Sequence, residues 1–374
     1  MTDFPRAEYE ARLVRAQDAM AAAGIDALFL NTEAELNWFT GFRTAFWQSP
    51  TRRWYLIVPR DGLPIALVPT IGAALMRSAF TGRVEVFDAP AGGNEGLATL
   101  AGLLSAFARI GLPMGEEASL RMSLTEFDAL RRALTAEWVD ATPLLKALQT
   151  IKSPAEIAVI REICAIGSRA FAKLPSLAQA GRPLTDTFRA FRIALLEEGA
   201  EDVPYLVGGA GPDGYDDVIS PPSTTPLAAG DVLMLDTGAQ LKGYFCDFDR
   251  NIAIGRASDA AKRAHDTLWH ATEAGLTAAR PGAEACEVFA AMAGVLGGGS
   301  NIGRLGHGLG LRLTEWPSLA PHDTTRLAPG MVLTLEPSIT LENGAMMVSE
   351  ENILITDGAP ELLTTRADKE LPIT

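Results

Sequence analysis

The sequence contains few of the residues that build disulfide frameworks and zinc motifs. Only three cysteines and four histidines occur among its 374 residues. Three cysteines cannot all pair, and the spacing of Cys164, Cys246 and Cys286 fits no zinc motif. We therefore expect a protein of a reducing compartment, of which the cytoplasm is the simplest.

Long apolar runs and basic segments are also missing. No apolar run reaches the roughly 20 residues that a membrane-spanning helix needs. The N-terminal segment Met1–Arg6 has no basic stretch followed by an apolar one, so a secretory signal is not predicted. The formal net charge is −14, and the longest basic run is Arg52-Arg53. We therefore expect neither a membrane nor a nucleic acid as a partner.

The chain does have enough apolar residues for more than one hydrophobic core. Hydrophobic residues make up 48% of the sequence, which is too high a fraction for a disordered protein. A length of 374 residues exceeds what one core usually holds. We predict two domains, covering residues 1–150 and 151–374.

Helical and strand patterns alternate in the first 150 residues. Apolar residues at helical spacing predict helices near 8–23, 96–110 and 124–135. Buried apolar runs bounded by turn residues predict strands at Asp26–Leu30, Trp54–Pro59 and Pro64–Val68. Such alternation is typical of an α/β domain.

A helix start signal marks the beginning of the second domain. Ser153 is followed by Pro154 and then by Glu156, which together form a capping signal. The pattern predicts a helix from this point to about residue 174, another after Thr185 and a third near 258–278. From residue 231 onward strands dominate, and several carry carboxylates at unexpected places.

Two aspartates interrupt apolar strands on either side of a turn. Asp236 ends an apolar strand that begins at Asp231, and Asp247 follows eleven residues later. A turn at Lys242-Gly243 would fold the second strand back and place the two aspartates side by side. Two like charges in one apolar site need a cation, because a buried unpaired carboxylate is costly.

Three more residues of metal-ligand type follow in apolar or glycine-rich segments. These are His307 in Gly306–Gly310, Glu336 at the end of an apolar strand, and Glu350 shortly before Ile353–Ile355. Four carboxylates would be balanced by two divalent cations, and mostly oxygen ligands with one nitrogen suit manganese, cobalt, iron or zinc.

Two further acidic residues compete for ligand positions. Strand alternation places Glu351 on the face opposite Glu350, so we predict Glu350 as the ligand. Asp249 could reach the metals, and we predict that it pairs with Arg250 or a neighbour instead.

The five segments resemble the motifs of the creatinase, aminopeptidase P, prolidase and methionine aminopeptidase superfamily. Its Asp-x-Gly, Asp-x-x-Arg, Gly-His-Gly-x-Gly, Glu-Pro and Glu-(Asp/Glu) motifs fall in order at Asp236, Asp247, His307, Glu336 and Glu350. The resemblance covers essentially the whole chain. It implies an α+β protein with an N-terminal creatinase-like α/β domain and a pita-bread catalytic domain.

The resemblance also implies the roles of these residues. Asp236 would bind one metal, Asp247 and Glu350 would bridge the pair, and the other two would complete the second metal's shell. Glu336 and His307 would be the catalytic residues, with Glu336 exchanging a proton. The implied reaction is cleavage of an amide or peptide bond by a metal-bridging hydroxide, in a homodimer.

Two positions depart from the peptidases of that superfamily. Those peptidases have two further histidines near the substrate, whereas here Val218–Pro222 contains none and Thr314 occupies the second position. The interpretation therefore remains open between an Xaa-Pro peptidase and a hydrolase or lyase acting on a small zwitterion such as creatine, ectoine or dimethylsulfoniopropionate. A binding module without catalysis is disfavoured, because all five ligand positions are filled.

Four residues are predicted to contact the substrate. They are Trp47, Arg52, Arg53 and Thr314. An arginine could hold a substrate carboxylate, and a tryptophan could hold a quaternary cation. The alternative for the N-terminal three is an ordinary surface loop whose aromatic residues pack inward.

Overall fold

The computed structural model of the protein describes residues 2–49, 53–90, 92, 95–297 and 303–374. The chain divides into two units, Met1–Gln149 and Thr150–Thr374. Within the described residues no helix combines the length and the apolar character needed to cross a membrane.

The first unit is a mixed sheet with helices. Its helices are α1 Arg6–Ala23, α2 Glu33–Thr40, α3 Ala73–Arg77, α4 Leu97–Leu104, α5 Leu124–Ala133 and α6 Thr142–Thr150, and short 3-10 turns span Ala45–Gln48 and Thr70–Gly72. Its strands are β1 Ala27–Leu30, β2 Tyr55–Pro59, β3 Ile65–Pro69, β4 Arg83–Phe87, β5 Arg109–Leu112 and β6 Glu137–Asp140. In the described part of this unit the strand order is β4-β3-β2-β1-β5-β6, with β2 antiparallel to both neighbours.

One predicted helix of this unit is wrong at its end. The helix predicted near 96–110 stops at Leu104, and Arg109–Leu112 forms β5 between β1 and β6. A short apolar run fits a helix or a buried strand equally well by periodicity. Parallel pairing with β1 decides for the strand, because it buries Ile110 and Leu112 in the sheet.

The second unit combines helices with several β-sheets. Its helices are α7 Pro154–Phe171, α8 Leu174–Leu177, α9 Leu184–Glu198, α10 Asp259–Ala278 and α11 Ala285–Val295. Its strands are β7 Asp202–Pro212, β8 Asp231–Leu241, β9 Tyr244–Phe245, β10 Phe248–Ala253, β11 His307–Gly308, β12 Glu315–Ser318, β13 Val332–Leu335, β14 Ser338–Thr340, β15 Met346–Val348, β16 Glu351–Leu354 and β17 Glu361–Leu362. Over the described ranges they form sheets ordered β10-β8-β7, with β9 on β8, β12-β11-β13-β16-β17, and β14-β15.

The capping signal at residue 153 starts α7 as predicted. The Ser153 side chain accepts from the Glu156 amide, and the Glu156 side chain accepts from the Ser153 amide. The helix lies close to the sheet, because a Cβ at Gly167 would come 2.8 Å from the Phe248 ring. The absence of a side chain at Gly167 therefore allows α7 to pack closely against β10.

The predicted turn between the two aspartate strands is confirmed. Lys242 and Gly243 both have positive φ, at 53° and 80°, and Leu241 pairs with Tyr244. Two residues with positive φ form the tight turn that matches the twist of a hairpin. The turn sets the register by which β10 returns along β8.

Candidate metal centre

Two sheets of the second unit bring the five predicted ligands into one region. Asp236 lies in β8 and Asp247 precedes β10, whereas His307, Glu336 and Glu350 belong to β11 or adjoin β13 and β16. The Glu336 amide donates to the Leu305 carbonyl at 2.9 Å, and the His307 amide donates to the Thr334 hydroxyl at 3.1 Å. These two bonds hold the histidine segment beside the end of β13.

The glycines on either side of His307 permit that close approach. Gly306 has a φ of 140°, and a Cβ there would collide with the Thr334 carbonyl oxygen. A Cβ at Gly308 would collide with the Trp316 carbonyl oxygen on the other side. The Gly-His-Gly pattern therefore follows from backbone packing between two strands.

Three of the ligand candidates already lie within coordinating distance of one another. Asp247, His307 and Glu350 each present one donor atom, and these atoms lie within 4.8 Å of each other. The His307 Nε2 is 3.5 Å from the nearer Asp247 oxygen. The His307 Nδ1 lies 2.8 Å from the Gly308 carbonyl oxygen, to which it donates as an N–H. The Nε2 is then left without a proton and faces the carboxylates, as a metal ligand requires.

The residue directly opposite Asp236 is Asp249, not Asp247 as predicted. Asp249 pairs with Asp236 in the β8–β10 register, and Asp247 lies two residues farther along on the same face. The two predicted ligands are therefore diagonal neighbours. The sequence predicted the turn correctly, but it could not determine which residues of β8 and β10 lie directly opposite each other.

Two buried carboxylate oxygens of this cluster lack a hydrogen-bond partner among the described residues. They are the Asp236 Oδ1 and the Glu350 Oε1. A buried carboxylate oxygen without a donor is costly, unless a cation compensates it. The donor set of four carboxylates and one imidazole suits divalent cations of the manganese to zinc group. The residues present therefore fit a metal centre.

Burial shifts the pKa values of the cluster. Burial and the nearby Glu336 carboxylate raise the pKa of Asp236 to about 7, and burial raises the pKa of Glu336 to about 7. Burial, with the neighbouring carboxylates, also raises the pKa values of Asp247 and Glu350. Burial lowers the pKa of His307 to about 4. Without cations, therefore, the folded protein favours protonated carboxyls and a neutral imidazole.

The metal-free protein should lose stability as the pH rises from about 4 to about 7. The folded carboxyls retain protons that the unfolded chain releases, so each group with a raised pKa lowers the free energy of unfolding as the pH rises. The lowered pKa of His307 acts in the opposite direction, but one imidazole is outnumbered by four carboxyls.

Thermal unfolding of EDTA-treated protein at about pH 4 and about pH 7, the two ends of the window, tests this expectation. The unfolding temperature should be lower at the higher pH, and added Mn²⁺ should raise it more there. Equal unfolding temperatures in the absence of metal would contradict the expectation.

A buried asparagine, which the sequence did not single out, positions Asp247. The Asp247 amide donates to the Asn352 Oδ1 at 3.0 Å, and the Asn352 amide donates back to the Asp247 carbonyl oxygen. The Cys164 thiol lies 3.3 Å from the same Asn352 oxygen. An asparagine directly before the apolar run Ile353–Ile355 was the signal available in the sequence. Asn352 therefore ties the backbone of Asp247 to β16.

Replacing Asn352 with alanine should weaken metal binding and activity by about 10- to 100-fold, the usual effect of losing a group that orients a ligand. The physical reason is that both backbone groups of Asp247 lose their partner. Mn²⁺ titration and kcat/KM measure the effect, and Asn343→Ala in the exposed turn before β15 is the matched control. Unchanged Mn²⁺ affinity in Asn352→Ala would refute the positioning role.

Glu350 and Glu351 point to different partners. Glu351 accepts from the Arg250 guanidinium at 3.0 Å, from the Ala367 amide at 2.8 Å and from the Thr364 hydroxyl. Glu350 instead joins Asp247 and His307. The structure therefore engages Glu351 in anchoring the C-terminal segment.

The Asp249 side chain, predicted to pair with Arg250 or a neighbour, accepts from a spatial neighbour and not from the Arg250 guanidinium. Its Oδ1 accepts from the Glu350 amide at 3.2 Å, whereas the Arg250 guanidinium donates to the Asp249 backbone carbonyl and to the Glu350 carbonyl. Strand register explains the difference, because Asp249 faces Asp236 and Arg250 faces the other side. Asp249 thus holds the backbone of a candidate ligand.

Trp47 belongs to an aromatic cluster of the first unit. Its ring lies 6.4 Å from that of Phe42 and 6.0 Å from that of Trp54, and the Arg121 guanidinium lies 5.3 Å above it. These contacts favour the alternative in which the aromatics of the loop pack inward.

The other predicted substrate contacts have different surroundings. Arg53 forms a 3.1 Å ion pair with Glu126, and Arg52 lies outside the described residues. Thr314 accepts a hydrogen bond from Arg304 at 3.3 Å. Arg53 and Trp47 belong to the first unit, whereas the candidate ligands belong to the second.

Two residues near the centre were missed by the sequence analysis. Tyr205 of β7 lies opposite Gly238 and donates its hydroxyl to the Asp236 carboxylate, and burial together with the charge of Asp236 raises the pKa of that phenol. Arg304 lies three residues before His307. The sequence signals that could have pointed to them were a tyrosine in a glycine-rich strand and an arginine shortly before a glycine-flanked histidine.

Comparison with known protein families decides the classification. The model of the Creatinase/Prolidase N-terminal domain matches residues 12–151. The model of Metallopeptidase family M24 matches residues 158–357, which is more than half of the chain. The chain belongs to metallopeptidase family M24.

Similar proteins cover between about two thirds and almost all of this M24 chain. A protein named "Probable dipeptidase PepE" from Mycobacterium tuberculosis is 28% identical over 364 residues, 95% of this chain and 94% of that protein. An Xaa-Pro dipeptidase of Pyrococcus furiosus is 27% identical over 275 residues, 69% of this chain and 75% of that protein. The crystal structure of dipeptidase PepE from Mycobacterium ulcerans superposes with a TM-score of 0.85 at 26% identity, covering 99% of both chains.

These findings confirm the superfamily, the α+β fold and the prediction of a metal-dependent hydrolase. Membership of a metallopeptidase family implies a divalent metal cofactor. The alternative of a hydrolase or lyase for a small zwitterion gains no support, because the relatives above are named as peptidases. A binding module without catalysis is likewise set aside.

Proposed function

We propose that this M24 protein is a dipeptidase of the Xaa-Pro type with two divalent cations in its active centre. The proposed ligands are Asp236, Asp247, His307, Glu336 and Glu350. The observation that carries the proposal is the buried cluster whose Asp236 and Glu350 oxygens lack hydrogen-bond partners within the described ranges. The dipeptidases among the relatives support the substrate class.

The chain supplies binding, orientation and proton transfer. When bound, a pair of divalent cations lowers the pKa of a water and polarises the scissile carbonyl. Asp247, Glu350 and His307 present donor atoms within 4.8 Å of one another and would hold the cations, His307 through its unprotonated Nε2. Glu336, at the end of β13, takes a proton from the attacking water and returns it to the leaving amine. Asn352 and Asp249 hold the backbones of Asp247 and Glu350 during this exchange.

Turnover of a peptide panel by Mn²⁺-reconstituted protein tests the proposed function. The panel contains an Xaa-Pro dipeptide, a dipeptide without proline and an Xaa-Pro-Xaa tripeptide. We expect cleavage of the Xaa-Pro dipeptide, loss of cleavage in EDTA and recovery with Mn²⁺. Cleavage of only the dipeptide without proline would support a dipeptidase and contradict the proposed specificity for proline. Fully metallated protein that cleaves no peptide would overturn the proposal.

Three finer features accompany this proposal. We propose two cations per chain, with manganese ahead of cobalt, iron and zinc, a catalytic domain beginning at residue 151, and a homodimer. Elemental analysis counts the cations, and sedimentation at micromolar concentration determines the assembly. A monomer in that experiment would contradict the dimer. A cytoplasmic location remains a prediction from cysteine usage.

A further inference from the structure

Glu350 lies just outside the regular strand pairing of its sheet. β16 begins at Glu351, which pairs with Leu335 of β13, so the candidate ligand comes one residue before that ladder. Its two backbone groups are held by β10 instead. The Glu350 amide donates to the Asp249 Oδ1 at 3.2 Å, and its carbonyl accepts from the Arg250 Nη1 at 3.0 Å. Two consecutive residues, whose side chains leave β10 on opposite faces, therefore hold the backbone of one candidate ligand.

The Arg250 guanidinium is itself held in place. Its Nη2 donates to the Glu351 carboxylate at 3.0 Å and to the Thr365 carbonyl, and its Cζ lies 4.9 Å from the centroid of the Phe248 ring. The Arg250 side chain is 14% exposed and that of Glu351 is fully buried. Because a guanidinium is a rigid planar fork, these contacts also fix the direction in which Nη1 points toward Glu350.

The Glu351 carboxylate has other donors besides Arg250. It accepts from the Ala367 amide at 2.8 Å, from the Thr364 hydroxyl and from the Arg366 guanidinium at 3.5 Å. A buried carboxylate that loses all its partners is strongly destabilising. Since three donors remain when Arg250 is removed, we expect a variant without this arginine to fold, with a lower unfolding temperature.

A cavity borders the Arg250 side chain. It measures about 320 Å³, and its lining includes Phe171 of α7, Leu174 of α8, Ile252 of β10 and His265 of α10. One water occupies about 30 Å³ in the liquid, so the cavity has room for a small organic cation. A free guanidinium ion can therefore enter the space that a shortened Arg250 side chain leaves.

We propose that Arg250 is a positioning residue of the metal centre, which holds the backbone carbonyl of Glu350 and so fixes the direction of its carboxylate within the ligand cluster. This inference rests on the proposed two-cation peptidase and deepens it. Metal–ligand distances tolerate deviations of only about 0.2 Å, so a small rotation of the Glu350 backbone is enough to weaken binding. Arg250 thus does for Glu350 what Asn352 does for Asp247.

The test is the Mn²⁺ affinity of folded Arg250→Ala, measured by titration without substrate. It should be about 10- to 100-fold weaker than in wild type, the usual effect of losing a group that orients a ligand. Guanidinium chloride at millimolar concentration, far below the molar range that unfolds proteins, should restore much of the affinity. Sodium chloride at the same concentration should not. A merely structural arginine would lower the unfolding temperature in EDTA and leave the Mn²⁺ affinity of the folded variant unchanged.

Two further variants complete the test. Arg161→Ala is the matched control, because it removes a paired arginine–glutamate contact with Glu361 of β17, and it should keep the wild-type affinity. Arg250→Lys keeps the charge without the planar fork, so it should lose part of the affinity, and it decides the question if Arg250→Ala does not fold. Wild-type Mn²⁺ affinity in the folded Arg250 variant overturns the inference.

The inference and the proposed function fail in different measurements. A wild type that binds two cations and cleaves no peptide overturns the proposed function, whereas the role of Arg250 is still decided by Mn²⁺ affinity. A wild type that cleaves the Xaa-Pro dipeptide, together with an Arg250→Ala variant of unchanged Mn²⁺ affinity and kcat/KM, overturns the inference alone.

Discussion

Replacing Asp247 with asparagine should abolish metal binding and lower kcat/KM by about 1,000-fold or more, because a neutral amide cannot share two cations. Asp247 belongs to the group of three candidates, with His307 and Glu350, whose donor atoms all lie within 4.8 Å of one another. The change also removes one of several buried like charges. In EDTA, therefore, Asp247→Asn should be at least as stable as wild type at neutral pH.

Three measurements establish the outcome for Asp247→Asn: cation content, turnover and thermal unfolding in EDTA. Asp202→Asn at the exposed start of β7 is the matched control and should change none of them. A variant that keeps two cations and full turnover would remove Asp247 from the ligand set. Burial raises the pKa of Asp247, so its carboxylate is expected to destabilise the metal-free fold. A variant that unfolds in EDTA would contradict this, because it would show that Asp247 stabilises the fold without metal.

Replacing Glu336 with glutamine should lower kcat by about 100- to 10,000-fold, the range expected when a positioned acid–base group is removed. The amide retains the shape of the side chain but cannot accept and return a proton. KM should change much less than kcat, because the group acts in the transition state. Steady-state kinetics at saturating Mn²⁺ measures both constants, and the pH profile should lose its acidic limb.

Two variants sharpen the test of Glu336. Glu342 lies in the exposed turn after β14, so the control variant Glu342→Gln should leave kcat unchanged. Glu336→Asp keeps a carboxylate and should retain more activity than the glutamine variant. If Glu336→Gln binds both cations and keeps wild-type kcat with the acidic limb intact, proton transfer must be assigned to another group.

The positions of the candidate ligands could be read from the sequence because each has a local signature. Asp236 follows an apolar run inside β8, Glu336 comes directly after the apolar strand β13, and His307 is flanked by glycines that two neighbouring carbonyl oxygens require. The capping box of α7 and the turn at Lys242-Gly243 are local in the same sense. Short-range sterics and hydrogen bonding determine such features, so a single segment contains the information.

The helpers of those ligands could not be read in this way, because they act across the sheets. Asn352 is 105 residues from the Asp247 backbone that it binds, and Tyr205 meets Asp236 only through the β7–β8 register. Arg304 is placed near the candidate ligands because the next residue, Leu305, accepts a hydrogen bond from the Glu336 amide. The sequence around an asparagine, a tyrosine or an arginine contains no local pattern that identifies the distant residue with which its side chain will interact.

The sequence by itself determined the two-part α+β organisation, the five candidate ligands and the need for a cation among buried carboxylates. Tertiary structure alone decided that Asp249 rather than Asp247 opposes Asp236, that Glu351 turns to Arg250, and that Arg109–Leu112 is a strand. Each of these depends on register or on pairing with a distant strand. A shift of one residue reverses the face of a side chain while leaving the apolar pattern of the segment unchanged.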